Sequence, residues 1–307
     1  MLLKKQKLYR EEQGTAVVLF ALSIAIIFGM AGLVIDVGIL YQTKSELKKT
    51  SNAAVLSGAQ ELTNGNNLVN NIVMEILKAN KEEGNLKEIN IQTNNVNQLK
   101  VVLEKDVPLY FLKIFKMNSI KVTESSTAKL VPINRAAGAV PLGIDKSVPL
   151  VYLKEYILKV DSGDSAYGNF GILALSGPGA KLYEQDLMYG FDGDIKVGDI
   201  IDTQTGNISG KTESAVNYRI NLCPYPVNDI SHRDNSRIIL VLVYEPYNVQ
   251  SNQMKQVKVT GFAYFYIKSP VDKHDSTITG YFIKRAGGGS GDINGADKGA
   301  YAIKLTQ

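Results

Sequence analysis

The chain is poor in cysteine, in histidine and in net charge, and each scarcity closes off a class of function. Cys223 stands alone in 307 residues, so no disulfide can form within the chain. It reads as a small buried hydrophobe. The two histidines, His232 and His274, each lie in a polar, loop-like stretch, and neither shows metal-ligand spacing. No Gly-x-Ser-x-Gly elbow marks a nucleophile. The expectation is therefore a non-enzymatic chain without a cofactor. The net charge of +4 splits into +2 from Lys4, Lys5, Lys7 and Arg10 against Glu11 and Glu12, and +2 over all the rest. A nucleic-acid surface needs a clustered basic face, which so even a split argues against. No repeat of about 20–50 residues suggests a solenoid or propeller, and no lipid-attachment or C-terminal sorting signal is expected.

What the chain does have is one long uncharged run, Thr15 to Ile35. At helical rise it spans about 30 Å, the thickness of a bilayer's hydrocarbon core. Basic residues near a span tend to stay cytoplasmic. Lys4, Lys5, Lys7 and Arg10 therefore place the N-terminus inside and residues 36–307 outside, in a single-pass cell-membrane protein. A cleaved signal peptide is the alternative, but its apolar core is usually about 7–15 residues with a small-x-small site just beyond. Here Gly29-Met30-Ala31 lies inside the run.

The helical pattern continues past the run. From Leu40 to Leu62 there is no proline and one glycine, Gly58, and Leu47, Ser51, Val55, Gly58 and Leu62 fall on one narrow face. Thr63-Asn64-Gly65-Asn66-Asn67 ends it. A second helix is predicted over Leu68 to Asn80, with Val69, Ile72, Val73, Ile76 and Leu77 on one side. Ile89-Ile91 and Leu99-Val101-Leu103 read as short strands, Leu109 to Met117 as a short apolar helix, and Ser119 to Leu130 as a strand. After Pro132, Pro141 and Pro149 come strand-like runs at Ile172 to Leu175, Ile238 to Tyr244, Val257 to Ile267, Thr277 to Ile283 and Ala300 to Leu305. Gly287 to Gly291 reads as a flexible loop. The expected organisation is α+β: a cytoplasmic tail (1–13), a transmembrane helix (14–35), its amphipathic extension (36–63), a small α+β neck (64–134) and a mainly-β ectodomain (135–307).

Within the span, Ala21, Ala25 and Gly29 recur at four-residue spacing with Gly32 close by, a face on which another helix can pack in lipid. Asp36, at the outer edge of the run, reads as a solvated interfacial carboxylate, with a specific partner contact as the alternative. Gly206 to Thr212 resembles a phosphate loop but is one residue short, with Thr205 where the first glycine belongs, and is expected to be a β-turn. Asp161-Ser162-Gly163-Asp164-Ser165 is close to the Asp-x-Ser-x-Ser metal motif of von Willebrand A domains, but Gly163 lacks the middle hydroxyl. A solvated turn is expected there, with calcium on those oxygens left open.

Gly14, the apolar run, Gly32-Leu33-Val34-Ile35-Asp36-Val37-Gly38, Tyr41, and Ser51-Asn52-Ala53-Ala54 through Gly58-Ala59 together resemble the anchor segment of TadE/TadG-like proteins of the Tad (Flp) pilus-assembly system. Val107-Pro108 through Phe111 and Phe115, then Ile120-Lys121-Val122 and Ala128, are similar to that family's following region, and the β-rich half is similar to ectodomains of its Gram-positive members. The family usually carries an acid where this chain has Asn52. Pilins cut by prepilin peptidase carry a glutamate five residues after the cleaved glycine, and counting from Gly14 that position is Leu19.

The resemblance implies an accessory component of a pilus or secretion assembly that acts through helix packing in the membrane and binding by the ectodomain. The implied partners are the membrane, pilus-machinery or pilin proteins and further copies of the chain, with no nucleic acid. The alternatives are a minor pilin, cleaved after Gly14; a surface receptor for a solute or polymer; and an extracytoplasmic hydrolase using His232 or His274.

Overall fold

The computed structural model describes residues 5–93, 97–159, 170–204, 208–250, 253–271 and 277–306, with side chains from residue 14 onward. The chain is α+β with a β-rich C-terminal part. Two helices open it, α1 over Lys5–Ala59 and α2 over Asn66–Ala79. Three strands follow, β1 (Leu86–Gln92), β2 (Gln98–Pro108) and β3 (Ser119–Ala136). Next come β4 (Ala139–Asp145), β5 (Glu155–Lys159), β6 (Phe170–Ile172) and helix α3 (Ala180–Tyr189). Two short strands, β7 (Ile195–Lys196) and β8 (Ile200–Asp202), precede helix α4 (Ser209–Leu222). The rest is strand: β9 (Ile238–Gln250), β10 (Gln253–Ile267), β11 (Thr277–Ile283), β12 (Arg285–Ala286), β13 (Ser290–Gly291) and β14 (Ala300–Thr306). These elements form two compact units, one of residues 1–55, 73–90 and 100–127, the other of residues 56–72, 91–99 and 128–307.

In the first unit α1 is a single uninterrupted helix, because nothing between Lys5 and Val55 removes a backbone donor. Its large apolar residues from Val17 to Val37 are exposed, whereas Leu47, Thr50, Ser51, Ala54 and Val55 are buried. The change in burial marks where α1 stops being bare and begins to pack on β3. There Lys48 Nζ donates to the Ser125 carbonyl at 2.7 Å, and Ser126 Oγ meets Ser51 Oγ at 2.7 Å. Val101, Leu103 and Val107 of β2 are buried in the same unit, as are Val73 and Leu77 of α2. Along β3, Ile120, Val122, Glu124 and Ser126 alternate inward against exposed Ser119, Lys121 and Thr123, the period-2 pattern of a half-buried strand. The apolar stretch between β2 and β3 differs from the predicted helix. Only Leu112–Phe115 coils, as one 3₁₀ turn, ended by Lys116 in the left-handed region at φ 63°.

The second unit is a three-layer stack. One of its sheets has the order β5-β11-β10-β9-β4-β6, with β8 on β10; β4 and β9 are parallel, and β5–β11, β11–β10, β10–β9, β10–β8 and β4–β6 are antiparallel. Alternation along β9 sends its two faces to different neighbours. Val241 and Val243 pack with Tyr183 and Leu187 of α3 and Ala215 and Val216 of α4. Leu240, Leu242 and Tyr244 pack with Val131 and Ile133 of β3 and Ala300 and Ala302 of β14. The two helices were not foreseen in the mainly-β reading, because each buries only a short, weakly apolar stripe. Residues 205–207 lie outside the description, but Ser209 to Thr212 open α4 instead of forming a β-turn. Thr212 is buried there, with its Oγ1 3.0 Å from the Tyr183 hydroxyl.

Three smaller expectations also change. The run Ile172 to Leu175 is strand only to Ile172, followed by a lone bridge from Leu173 to Thr203. Gly287 to Gly291 is partly strand: Ser290 and Gly291 form β13 and pair with Arg135 and Ile133 of β3, in a different sheet from that of β9 and β10. Gly289, at φ 130°, would bring a β-carbon within 2.7 Å of the Arg135 carbonyl, so glycine is required there for close approach. Cys223 is half-buried past the end of α4, with its Sγ 3.3 Å from Asn235 Oδ1, so a polar partner takes up the thiol.

Candidate membrane and assembly site

The residues singled out in the N-terminal segment fall into three groups along α1. Gly14, Ala21, Ala25 and Gly29 lie on the bare part of the helix and are exposed; a β-carbon on Gly14 or Gly29 would meet nothing within 4 Å. Gly32 and Asp36, one turn apart, are buried. Gly38 and Tyr41 are exposed, and then Asn52 and Ala53 are half-buried while Ala54 and Gly58 are buried.

The middle group carries the main geometric finding. Asp36 has 0% of its surface exposed. Its Oδ1 accepts the backbone N–H of Tyr110 at 2.8 Å, and its Oδ2 accepts those of Phe111 at 2.9 Å and Leu112 at 2.7 Å. These three donors open the 3₁₀ turn, where backbone N–H groups have no partner within the turn. The carboxylate therefore caps a distant turn, and the reading of Asp36 as a solvated charge is corrected: desolvating it is compensated by three charge-assisted hydrogen bonds. One turn of α1 earlier, the ring of Phe111 occupies the place a β-carbon on Gly32 would take. Glycine at 32 is what allows that ring to lie on the helix backbone. Part of the small-residue face is thus covered from within the chain. Ala21, Ala25 and Gly29 remain exposed.

Beyond Asp36 the alanine-rich stretch is fixed to β3. Ser126 Oγ donates to Asn52 Oδ1 at 2.7 Å and also lies 2.7 Å from Ser51 Oγ. An acceptor oxygen at position 52 is what this contact needs, and an amide supplies it as well as an acid would. Past the end of α1, in the second unit, Glu61 is buried and accepts Arg233 Nη2 at 2.8 Å, Arg233 Nε at 3.2 Å and Asn64 Nδ2 at 2.6 Å.

His232 Nδ1 lies 3.2 Å from Asp229 Oδ2 and 3.3 Å from Ser231 Oγ. A catalytic triad needs the acid and the nucleophile on opposite ring nitrogens. Here both sit on Nδ1, Ser231 Oγ already donates to Asp229 Oδ1 at 2.7 Å, and the ring stacks on Tyr225 at 3.8 Å. Among the described residues no cluster of three His, Cys, Asp or Glu side chains could hold a metal ion. His274 and the Asp161–Ser165 motif lie outside the described residues.

The sequence pointed to Asp36 and Gly32, and to Phe111 through the family resemblance, but not to their contact with one another. Tyr110, Phe111 and Leu112 are more than 70 residues away, in a segment read as an ordinary apolar helix. The one available signal was the unusual run Tyr110-Phe111-Leu112-Lys113-Ile114-Phe115, too apolar for an exposed loop.

One helix in the description is long and apolar enough to cross a membrane, Gly14–Ala59, and only 6% of its most apolar window is buried. Residues 14–61 match the Tad model of Flp pilus-assembly TadE/G-like proteins. No curated protein and no solved structure matches the chain. The matched segment runs from the bare apolar helix through Asp36 and the alanine-rich stretch to Glu61, and over that segment the chain is similar to TadE/G-like pilus-assembly proteins.

Proposed function

We propose that the chain is a non-enzymatic accessory component of a Tad/Flp-type pilus assembly or secretion system. Its N-terminus lies in the cytoplasm and residues 36–307 on the outer side, as the basic residues before the span suggest. The span packs against helices of the pilus machinery or of pilins through Ala21, Ala25 and Gly29, and the β-rich part binds pilus subunits or cell-surface material.

The observation that carries this reading is the exposed small-residue face within the family-matched helix. Ala21, Ala25 and Gly29 are exposed at four-residue spacing, and apart from the backbone of α1 itself no atom of the described residues lies within 4 Å of a β-carbon on Gly29. In lipid, where apolar surface alone gives no reason for helices to associate, close approach over small residues does.

The test is Ala21, Ala25 and Gly29 changed together to Leu in the native organism. Pili should be lost while the protein still reaches the membrane; normal piliation would remove the packing claim. Intact-mass analysis of the mature chain runs alongside. A chain beginning at or next to Met1 fits a permanent anchor, and one beginning at Thr15 would put the minor-pilin reading in its place.

A further inference from the structure

We propose that residues 109–117 form a second membrane contact: an apolar wedge that enters the lipid leaflet on the side of residues 36–307 and lies against the outer half of the span. The inference rests on reading α1 as a membrane span, and it assigns to that membrane a loop some 75 residues further along the chain.

Depth is the first argument. Asp36 stands at the edge of the uncharged run and holds the start of the loop. From there the loop does not rise away from the run but descends along it. Phe111 sits on Gly32, and Ile114 and Phe115 face Ile26, Gly29, Met30 and Leu33 across a cleft of about 360 Å³. From Asp36 to Ile26 is ten residues, or about 15 Å of helix, half of a hydrocarbon core about 30 Å thick. If residues 15–35 are in lipid, the tip of the loop is too.

Surface chemistry is the second. Ile114 is 80% exposed, Phe115 73% and Tyr110 61%, and Ile114 and Phe115 continue the bare apolar surface of the span. In water such a group is an unexplained apolar patch; beside a span it is ordinary lipid-facing surface. Lys113 and Lys116 are exposed between the apolar residues, and their long stems let the ammonium groups reach back to lipid phosphates.

The backbone of the loop is suited to lipid as well. Hydrocarbon offers no hydrogen bonds, so a loop that enters it must satisfy its own polar groups. The N–H groups of Tyr110, Phe111 and Leu112 go to Asp36. Those of Leu109, Ile114, Lys116 and Met117 go to carbonyls at Asn118, Phe111, Lys113 and Leu112, at 2.9–3.3 Å. A solvated loop has no need of so closed a pattern. The buried Asp36 is what makes it available, by supplying three acceptor contacts where the 3₁₀ turn begins.

The experiment uses the full-length chain in vesicles of phosphatidylcholine and phosphatidylglycerol. Cys223→Ser frees the chain for single labelling, and an environment-sensitive fluorophore is placed through Phe115→Cys, through Ile26→Cys as a span control and through Tyr247→Cys as a solvent control. Lipids brominated along the acyl chain should quench the probe at 115 as they quench the probe at 26, with a matching blue shift, and should leave the probe at 247 unaffected. Adding Asp36→Ala should abolish quenching at 115 and preserve it at 26. Quenching at 26 with none at 115 would overturn the wedge and leave the span intact; absence of quenching at both would overturn the span as well. Cross-linking between copies through Phe115→Cys, without quenching, would show a second chain in place of lipid and equally sink the proposal.

Discussion

Asp36 Oδ2 and the backbone N–H of Leu112 lie 2.7 Å apart although 76 residues separate them in the chain. A residue that ends the apolar run is thereby also the cap of a turn between two strands. The segment matched to the pilus-assembly family contributes to the packing of its own first unit as well as to anchoring.

Replacing Asp36 with Ala should release that turn, since three N–H groups lose their acceptor at once. Leaving buried donors unsatisfied costs more than an average hydrogen bond contributes. In nanodiscs, trypsin cleavage at Lys113 or Lys116 should speed up by about tenfold or more, because proteolysis follows the population of the locally open form. An unchanged cleavage rate would mean the loop is held by its apolar contacts alone.

Gly32→Leu should open the same turn by a different route. The ring of Phe111 and a side chain at 32 compete for one position, so the ring must leave. Gly38→Ala is the matched control, because nothing lies within 4 Å of a β-carbon there. Hydrogen exchange of residues 109–117, measured by mass spectrometry, should rise in the first variant and stay constant in the second.

Arg233→Ala should destabilise the second unit by about 1–3 kcal/mol, the cost of leaving a buried acceptor short of charged donors. Glu61 is buried, and among the described residues its carboxylate would keep the hydrogen bond from Asn64. Arg233 itself is half-exposed, with 48% of its side chain in contact with solvent, which holds the figure below that of a fully buried pair. Thermal unfolding of the full chain in detergent would read the loss as a lowered midpoint; a midpoint at the wild-type value would show the pair to be idle.

The contact between α3 and α4 should weaken in acid. Lys211 donates to Glu184 at 2.7 Å, and that hydrogen bond, with help from Ser214, draws the Glu184 carboxyl below its ordinary value of 4.5. A carboxyl whose value is lower in the folded chain contributes stability that is complete above the ordinary value and is lost as pH falls through the folded one. Hydrogen exchange in α3 should therefore quicken below about pH 4, and Glu184→Gln should remove that acid response. A pH response that persists in the variant would place its origin elsewhere.

Much of the architecture could be read from residue pattern because the signals were local. The uncharged run, the helix that continues it, and the stripe of Val69, Val73 and Leu77 each lie within a few turns of helix. The runs that became β9, β10, β11 and β14 are β-branched and aromatic enough to stand out from their turns. What escaped the sequence depends on contacts made far along the chain. Helix α3 buries Tyr183, Asp186 and Leu187, and its buried aspartate is acceptable only because Ser176 donates to it through both N–H and Oγ. Helix α4 buries Thr212, Ala215 and Val216, a stripe too small to rise above background. The site followed the same division: Gly32 and Asp36 were visible as residues of interest, whereas the turn they hold was not, since neither spacing nor composition encodes which distant loop a carboxylate will cap.

The continuity of α1 has a mechanical consequence. From Gly29 to Ser51 the helix contains no proline, and 22 residues of rise separate them by about 33 Å. A helix of this kind bends sharply only at identifiable breaks. A displacement of α1 at Gly29 would therefore reach Ser51, which meets β3 at Ser126, with no hinge between them. The apolar stretch and the packed stretch of α1 are two ends of one lever, so that tilting the first moves the contact with β3 along with it.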